Sequence, residues 1–574
     1  MRSLAIDGIL VELYGQQAAP GVLARLERLL EAYPPAGSFP PPARTLDQRD
    51  ALLITYGDQF SAPGEAPLRA LRRFAAAHLP GLVSGLHILP FYPYTSDDGF
   101  SVVDYHQVDP RLGSWADIHH LQESFLLMYD AVINHISASS EWFQGWQRGD
   151  PRYADYFISL PPETDLSAVV RPRALPLLTP FDTARGREWV WTTVSADQID
   201  LNYANPNVLL DVIEALLAYA AHGARFLRLD AIAYLWKIPG TSSIHLPQTH
   251  VVIRLLRAVL DRVAPHVLLI TETNVPHAEN ISYFGGGHGE AQMVYNFALP
   301  PLTLHAVATG QVDALRDWAA SLQRPGDEAA LFNFLASHDG IGLNPARGIL
   351  PPAQIDALVE RCLRHGGRVS EKSNPDGSRS AYELNINYFD ALSDPVSAEP
   401  LELQVARFLA AHAVLLALAG MPGVYVHSLL GSRNWQAGVQ QTGQNRAINR
   451  QKFLLEEIES DLAVSGLRRA VFTGLARLLR ARAGSPAFHP FGHQLVLDAG
   501  PGVLALLRSS PDGARQALCL ANLSAEPRHA VLPALPGVRP GVWRDRLGAG
   551  ALDLSAAAVA ALAPYQVAWL ERQP

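Results

Sequence analysis

The sequence has little cysteine and no long uninterrupted apolar run. Only Cys362 and Cys519 occur among 574 residues, and two cysteines so far apart provide neither a disulfide framework nor a metal-ligand spacing. No apolar run approaches the roughly 18 residues that would cross a bilayer. Asp7 and Glu12 interrupt the apolar pattern of the N-terminus, which argues against a signal peptide. We therefore expect a cytoplasmic protein with no membrane partner.

Positive charge is also scarce. The net charge is −9, and the 46 Lys and Arg residues are scattered along the chain, so nothing resembles the basic surface of a nucleic-acid-binding protein. A hydrophobic fraction of 48% and a charged fraction of 18% indicate a globular protein. A small-molecule partner is therefore expected, and either a monomer or a homodimer is compatible with this composition.

Apolar strand-like segments alternate with helical patterns through the middle of the chain. Eight such segments occur: 52–58, 86–93, 125–135, 226–232, 267–274, 293–300, 331–339 and 423–430. Buried strands separated by helices favour a parallel sheet, and eight of them favour closure. The sequence therefore predicts an α/β protein with a (β/α)8 TIM barrel.

Composition shifts divide the chain into three domains. Residues 1–50 form a helical extension that ends in a proline-rich linker, 51–485 form the barrel, and 486–574 carry the short alternating strands of an antiparallel β domain. Two gaps after strands 3 and 7 are too long for simple crossovers. We expect these inserts, 140–205 (domain B) and 341–400 (domain B′), to be lids over the active face of the barrel.

The stretch ARFLRLDAIAYLW (224–236) ends an apolar strand with Arg228 and Asp230. Residues two apart in a strand point to the same face, so the arginine should keep this carboxylate ionised. Asp230 is thus a candidate nucleophile. The alternative is that it caps a following helix or pairs with Arg228 for structure alone.

Two further strands end in acids, Glu272 and Asp339. Because the carboxyl ends of barrel strands meet on one face, three such carboxylates can converge on one pocket. Paired carboxylates carry out glycosidic chemistry, one as nucleophile and the other as proton donor. Asp230 lies beside a cation and suits the first role, whereas Glu272 lies between two threonines and suits the second.

At these residues the chain strongly resembles the α-amylase clan, glycoside hydrolase family 13. The four signature regions are DAVINH (130–135), RFLRLDAIA (225–233), TETN (271–274) and FLASHDG (334–340). The resemblance implies that Asp230 is the nucleophile, Glu272 the acid/base and Asp339 a third carboxylate that binds sugar hydroxyls. It further implies a glucosyl subsite lined by Arg228, His135 and His338.

Longer stretches resemble the sucrose phosphorylase subfamily. Residues 86–115 resemble the segment that places an acid and an aromatic ring against the sugar, here Asp97 and Phe100, and NRAINR (445–450) resembles the segment that supplies an arginine, here Arg446. The resemblance implies that inorganic phosphate is a co-substrate that discharges a glucosyl-enzyme. Arg173 and Tyr382, one in each insert, are the implied phosphate ligands.

On the acceptor side the segments 270–285, 431–438 and 444–453 resemble the branch of this subfamily that cleaves glucosylglycerate. A buried glycerate carboxylate needs cations or several hydrogen-bond donors. The candidates for the carboxylate are Asn274, His277, Arg433 and Asn434. Tyr234 and Glu383 are candidates for the glycerate hydroxyls. The resemblance implies no metal cofactor, and no spaced D-x-D pattern lies within 140–205.

Three alternatives remain. A sucrose or glucosylglycerol phosphorylase is disfavoured by Thr273-Asn274, Glu383 and Val194, which depart from the pattern of sucrose phosphorylases. A hydrolase or transglucosylase is disfavoured by the RPR stretch (171–173). A catalytically dead barrel that serves as a binding module would have lost carboxylates, and all three acids are present.

Overall fold

The computed structural model describes residues 6–33, 46–173, 175–287, 289–323, 326, 329–374, 377–532 and 540–572. Its centre is a closed barrel of eight parallel strands. Each strand pairs with the barrel strands before and after it in the chain, and the eighth pairs with the first. The strands are β1 Leu52–Thr55, β2 Gly85–Ile88, β3 Leu126–Ala131, β4 Ala224–Leu229, β5 Leu268–Thr271, β6 Met293–Tyr295, β7 Ala330–Asn333 and β8 Met421–Tyr425.

All eight predicted strands are present, which confirms the TIM barrel. The strands are shorter than the apolar segments that predicted them, because the segments run on into the loops at the carboxyl ends. Asp230, for example, directly follows β4. Strand residues such as Leu53 and Leu227 are fully buried, since a barrel strand packs against side chains inside and against helices outside.

Helices surround the barrel. The longer ones are Pro67–His78, Trp115–Gln122, Pro206–Ala221, Pro247–Val263, Leu299–Thr309, Asp313–Ser321, Leu401–Ala417, Leu455–Ala463 and Leu467–Ala483. Shorter helices are His277–Asn280, Tyr388–Leu392, Val426–Leu429 and Gln436–Thr442. None of the helices in the part of the chain that the structure describes is long and apolar enough to cross a bilayer.

The first insert lies between β3 and the helix Pro206–Ala221. It contains the helix Glu141–Arg148, the hairpin Leu178–Thr183 with Gly186–Trp191, and the strand Gln198–Asp200. That last strand pairs with His135–Ser137 directly after β3, so it brings the end of the insert back to the barrel rim.

The second insert follows β7. It contains Ile341–Gly342, the helix Pro352–Arg364 and the antiparallel strands Arg368–Ser373 and Arg379–Asn385. Ile341 pairs with Leu384 in the same small sheet. This sheet therefore begins two residues after Asp339, at the mouth of the barrel.

The N-terminal helix Ile6–Glu31 is bent at Gly15, whose φ is 75°. It packs on Pro206–Ala221 and Pro247–Val263, and its ion pairs join Glu12 to Arg254 at 2.9 Å and Glu27 to Arg262 at 2.6 Å. The extension is thus fixed to two barrel helices. Most of the predicted proline-rich linker, residues 34–45, lies outside the described residues.

The C-terminal domain is antiparallel, as predicted. Its larger sheet contains His493–Asp498, Val503–Ser509, Gln516–Asn522, Val567–Arg572, Val542–Asp545 and Ala551–Asp553 in spatial order, and Arg528–Leu532 pairs with Ala558–Leu562. The buried Arg508 guanidinium donates to the Ala417 carbonyl at 2.7 Å, which attaches this domain to a barrel helix.

The start of β2 shows how closely the strands approach. A Cβ at Gly85 would meet the Leu126 carbonyl oxygen and would lie 2.6 Å from Leu52 Cδ2. We predict that Gly85→Ala lowers the free energy of unfolding by about 1–3 kcal/mol through overpacking, measured as a lower midpoint of thermal unfolding. Gly21→Ala is the control: Gly21 lies in the N-terminal helix with nothing within 4 Å of a new Cβ. If the two variants unfold at the same temperature, the overpacking argument fails.

Candidate active site

Arg228 lies at the centre of the barrel mouth with its side chain 1% exposed. Its Nη1 donates to Asp230 Oδ1 at 2.8 Å and to Asp130 on β3. Its Nη2 lies 3.9 Å from Glu272 Oε2. Asp130 also contacts His87 Nε2 on β2 at 2.7 Å. One buried guanidinium therefore joins acids from three successive strands.

The carboxylates of Asp230, Glu272 and Asp339 line a single cavity, at the place where the strand-end pattern predicts them. The same cavity is lined by most of the residues assigned from the sequence, namely Asp97, Phe100, His135, Arg173, Tyr234, Asn274, His338, Tyr382 and Arg446. The functional side chains therefore come from loops after β2 to β5, β7 and β8, and from both inserts.

Burial raises the pKa of Glu272 to about 8, and the neighbouring Asp230 and Asp339 charges add to this against the effect of Arg228. Burial also raises the pKa of Asp230, so the expectation that arginine alone would set its ionisation was incomplete; Arg228 and His135 oppose the burial. Because Arg228 contacts Asp230 and stays 3.9 Å from Glu272, the proton is more stable on Glu272.

Two stacked aromatic rings form part of the cavity wall. The rings of Phe100 and His338 stack with centroids 4.6 Å apart and planes within 5°. His135 Nε2 and Gln198 Nε2 lie 2.9 Å and 3.0 Å from the Phe100 carbonyl oxygen. Such a surface suits the apolar face of a sugar ring. Gln198 lines the cavity and was missed by the sequence analysis, because a lone glutamine in an insert carries no signal.

The loop that carries Phe100 is strained. Asp97 and Asp98 have φ of 51° and 49°, in the left-handed region that few non-glycine residues adopt. Arg450 Nη1 contacts Asp97 at 3.2 Å and Asp98 at 2.8 Å, and its Nε donates to the His338 carbonyl at 2.8 Å. Arg450 therefore holds the strained loop in place. Arg450 was not assigned a role from the sequence, although Arg446 in the same segment was.

Arg446 lies between two carboxylates. Its Nη1 contacts Asp339 Oδ1 at 2.6 Å, and its Nη2 and Nε contact the two Glu383 oxygens at 2.7 Å and 3.0 Å. Glu383 also accepts a hydrogen bond from the Gly340 amide at 2.9 Å. Glu383 is fully buried and does not line the cavity. It therefore faces Arg446 and not the acceptor hydroxyls that the sequence analysis assigned to it.

Three other predicted acceptor residues lie away from the cavity. Arg433 contacts Asp390 Oδ1 at 2.7 Å and Gln404 Oε1 at 2.8 Å. The backbone amide of Asn434 donates to the other oxygen of the same carboxylate, Asp390 Oδ2, at 2.7 Å. His277 begins a short helix and packs edge-on against Trp318 at 5.9 Å. Their expected contacts with a glycerate carboxylate are not supported.

Known proteins resemble the chain closely. The model of the α-amylase catalytic domain matches residues 81–341. The chain is 50% identical over 562 residues to the glucosylglycerate phosphorylase of Allomeiothermus silvanus, with 97% of this chain and 96% of that one covered. The chain belongs to the α-amylase family, glycoside hydrolase family 13. The matched region includes Asp230, Glu272 and Asp339.

Within this family the chain shares more sequence identity with glucosylglycerate phosphorylases than with a sucrose phosphorylase. The glucosylglycerate phosphorylase of Spirochaeta thermophila is 52% identical, with 91% of this chain and 89% of that one covered. The sucrose phosphorylase of Agrobacterium vitis is 32% identical, with 79% and 91% covered. The solved structure of the sucrose 6F-phosphate phosphorylase of Thermoanaerobacter thermosaccharolyticum matches with a TM-score of 0.72 and 25% identity, covering 84% of this chain and 95% of that one.

The protonation of Glu272 leads to a pH prediction. A proton donor with a pKa of about 8 is protonated below that pH, so kcat/KM for a glycoside whose leaving group needs a proton should fall about tenfold per pH unit above it. We expect Glu272→Gln to lose this cleavage and to retain much more activity toward α-glucosyl fluoride, because fluoride leaves without a proton. Equal losses on both donors would contradict the role of Glu272 as the acid.

Proposed function

We propose that the protein is a retaining glycoside phosphorylase. It reversibly cleaves 2-O-α-glucosyl-D-glycerate with inorganic phosphate and forms α-glucose 1-phosphate and D-glycerate. The observation that carries this proposal is the 50–52% identity to two glucosylglycerate phosphorylases over nearly the whole chain, joined with three carboxylates in one cavity. The protein acts on small molecules in the cytoplasm, as a monomer or homodimer.

In the first half-reaction a carboxylate oxygen of Asp230 attacks the anomeric carbon. The bond from that carbon to the glycerate oxygen breaks, and Glu272 gives its proton to the departing oxygen. Arg228 holds Asp230 Oδ1 at 2.8 Å and so aims the nucleophile. The Ala231 amide, just after β4, donates to Glu272 Oε2 at 3.0 Å. This contact holds the Glu272 carboxyl group beside Asp230.

In the second half-reaction a phosphate oxygen attacks the same carbon and breaks the ester to Asp230. Glu272, now ionised, accepts the proton that phosphate loses, and α-glucose 1-phosphate leaves with the original configuration. Asp339 stays ionised, because Arg446 and Arg228 lower its pKa against the effect of burial. We assign it the role of accepting hydrogen bonds from sugar hydroxyls in both half-reactions.

No metal ion is needed in this scheme. Lys237 follows β4, and its side chain, 1% exposed, reaches the loop after β3. Its Nζ lies 2.8 Å from Asn134 Oδ1 and 2.9 Å from Asp200 Oδ2. Asp200 also accepts from the Thr193 amide at 2.7 Å. An ammonium group therefore supplies the positive charge that joins the first insert to the rim. A cation from solution would have to displace it.

The proposed function is tested with phosphate and three donors: glucosylglycerate, glucosylglycerol and sucrose. We predict that α-glucose 1-phosphate is released fastest from glucosylglycerate, and that Asp230→Ala abolishes release because no covalent intermediate can form. Asp211→Ala is the control for loss of a partly exposed acid outside the cavity. Faster release from sucrose would replace the proposed substrate, and no phosphate-dependent product would exclude a phosphorylase.

Metal independence is tested separately. We predict that dialysis against EDTA leaves the rate of phosphorolysis unchanged, because the Lys237 ammonium already pairs with Asp200. The rate before and after dialysis, and after readdition of Ca²⁺ or Mg²⁺, is the measurement. Loss of activity that the added cation restores would show that a metal is required.

A further inference from the structure

The proposed function requires the acceptor side of the cavity to hold two different anions in turn. D-glycerate leaves from the anomeric carbon and phosphate attacks the same carbon, and a double displacement places both on the same face of the sugar. Each carries negative charge next to Asp230, Glu272 and Asp339. A cation on the acceptor side is therefore needed in both half-reactions, and the question is which residue provides it.

Arg446 is not available for this purpose. Its guanidinium contacts Asp339 at 2.6 Å and both oxygens of Glu383. Two carboxylates already surround it, so a third anion would be repelled by them. Arg228 is 1% exposed and is enclosed by Asp130 and Asp230. Arg433 contacts Asp390 away from the cavity.

Arg173 differs from these arginines. It lines the cavity and is half-buried, and within the described ranges of the chain it makes no hydrogen bond or ion pair. Tyr234 and Tyr382 line the same cavity. Burial raises the pKa of both hydroxyls, and the Arg173 charge only opposes that rise, so both tyrosines remain hydroxyl donors in the cavity that the guanidinium lines.

The segment that carries Arg173 is attached to the rim. The Val170 amide donates to the Ser242 carbonyl, in the loop that follows β4, at 2.9 Å. Arg173 also lines the neighbouring cavity, together with Asp97, Asp98, Ser195 and Gln444. Asn274 and Tyr382 line the same cavity as Arg173 and offer further donors.

We propose that Arg173 binds the carboxylate of D-glycerate as well as phosphate, so that one anion subsite serves both half-reactions. A planar guanidinium fork can donate two parallel hydrogen bonds to a carboxylate or to two phosphate oxygens. Neutral acceptors of the same size cannot use this fork. Arg173 is thus a specificity residue for anionic acceptors, and this inference rests on the proposed function.

The test uses α-glucosyl fluoride as donor, because its leaving group needs neither Arg173 nor the acceptor subsite. Transfer to D-glycerate, to phosphate and to the neutral acceptor glycerol is measured for the natural protein, Arg173→Gln and Arg173→Lys. We expect Arg173→Gln to raise the KM for D-glycerate and for phosphate by about 10- to 100-fold each. The preference for D-glycerate over glycerol, as a ratio of kcat/KM, should fall by a similar factor. The KM values and the acceptor preference of Arg173→Lys should lie between those of the natural protein and those of Arg173→Gln.

Arg187→Gln is the matched control, since Arg187 lies in the same insert, is exposed and does not line the cavity; it should keep the KM values of the natural protein. A rise for phosphate alone, for D-glycerate alone, or for neither would overturn the shared subsite. The unfolding temperature is recorded for each variant. If Arg173→Gln does not fold, the KM values of Arg173→Lys for D-glycerate and phosphate decide the test. Failure of the proposed function is distinguishable, because the natural protein would then not transfer glucose to D-glycerate at all.

Discussion

The active site depends on the burial of Arg228. A guanidinium that is 1% exposed must be surrounded by anions, because an unpaired buried charge costs several kcal/mol. The barrel meets this requirement with Asp130 on β3 and Asp230 after β4. The carboxylate proposed as the nucleophile therefore also neutralises the cation on which the barrel mouth is built.

The unequal distances to Arg228 give the two catalytic carboxyls different roles. Both are buried, and burial alone would favour the neutral form of each. The direct contact at 2.8 Å stabilises the charge of Asp230, whereas Glu272 at 3.9 Å is stabilised less and keeps a pKa of about 8. The proposed nucleophile and proton donor thus share the same functional group and the same burial, and one guanidinium distinguishes them.

Much of the barrel and of the catalytic face could be predicted from sequence, because both follow from repeated local patterns. Alternating apolar strands indicate the barrel, and the parallel arrangement places the strand-end acids Asp230, Glu272 and Asp339 together. Loop residues lack such a rule. Arg433 and Asn434 resemble acceptor ligands in sequence, but both bind Asp390, a contact across more than forty residues that no local pattern reveals. Arg450 was missed for the same reason, since its partners Asp97 and Asp98 lie in the loop after β2.

Glu383 shows why the position of a charge decides what it does. Considered in sequence alone, a carboxylate on the acceptor side of a site that receives anions would oppose their binding. In the structure its two oxygens contact Arg446, and its backbone partner is the amide of Gly340, next to Asp339. The second insert therefore neutralises Arg446. Arg173 in the first insert makes no ion pair within the part of the chain that the structure describes, although its charge contributes to the lowered pKa of Asp339 and Glu383. The proposed selection of an anionic acceptor by Arg173 thus depends on how charge is divided between the two inserts, and not on the number of cations around the cavity.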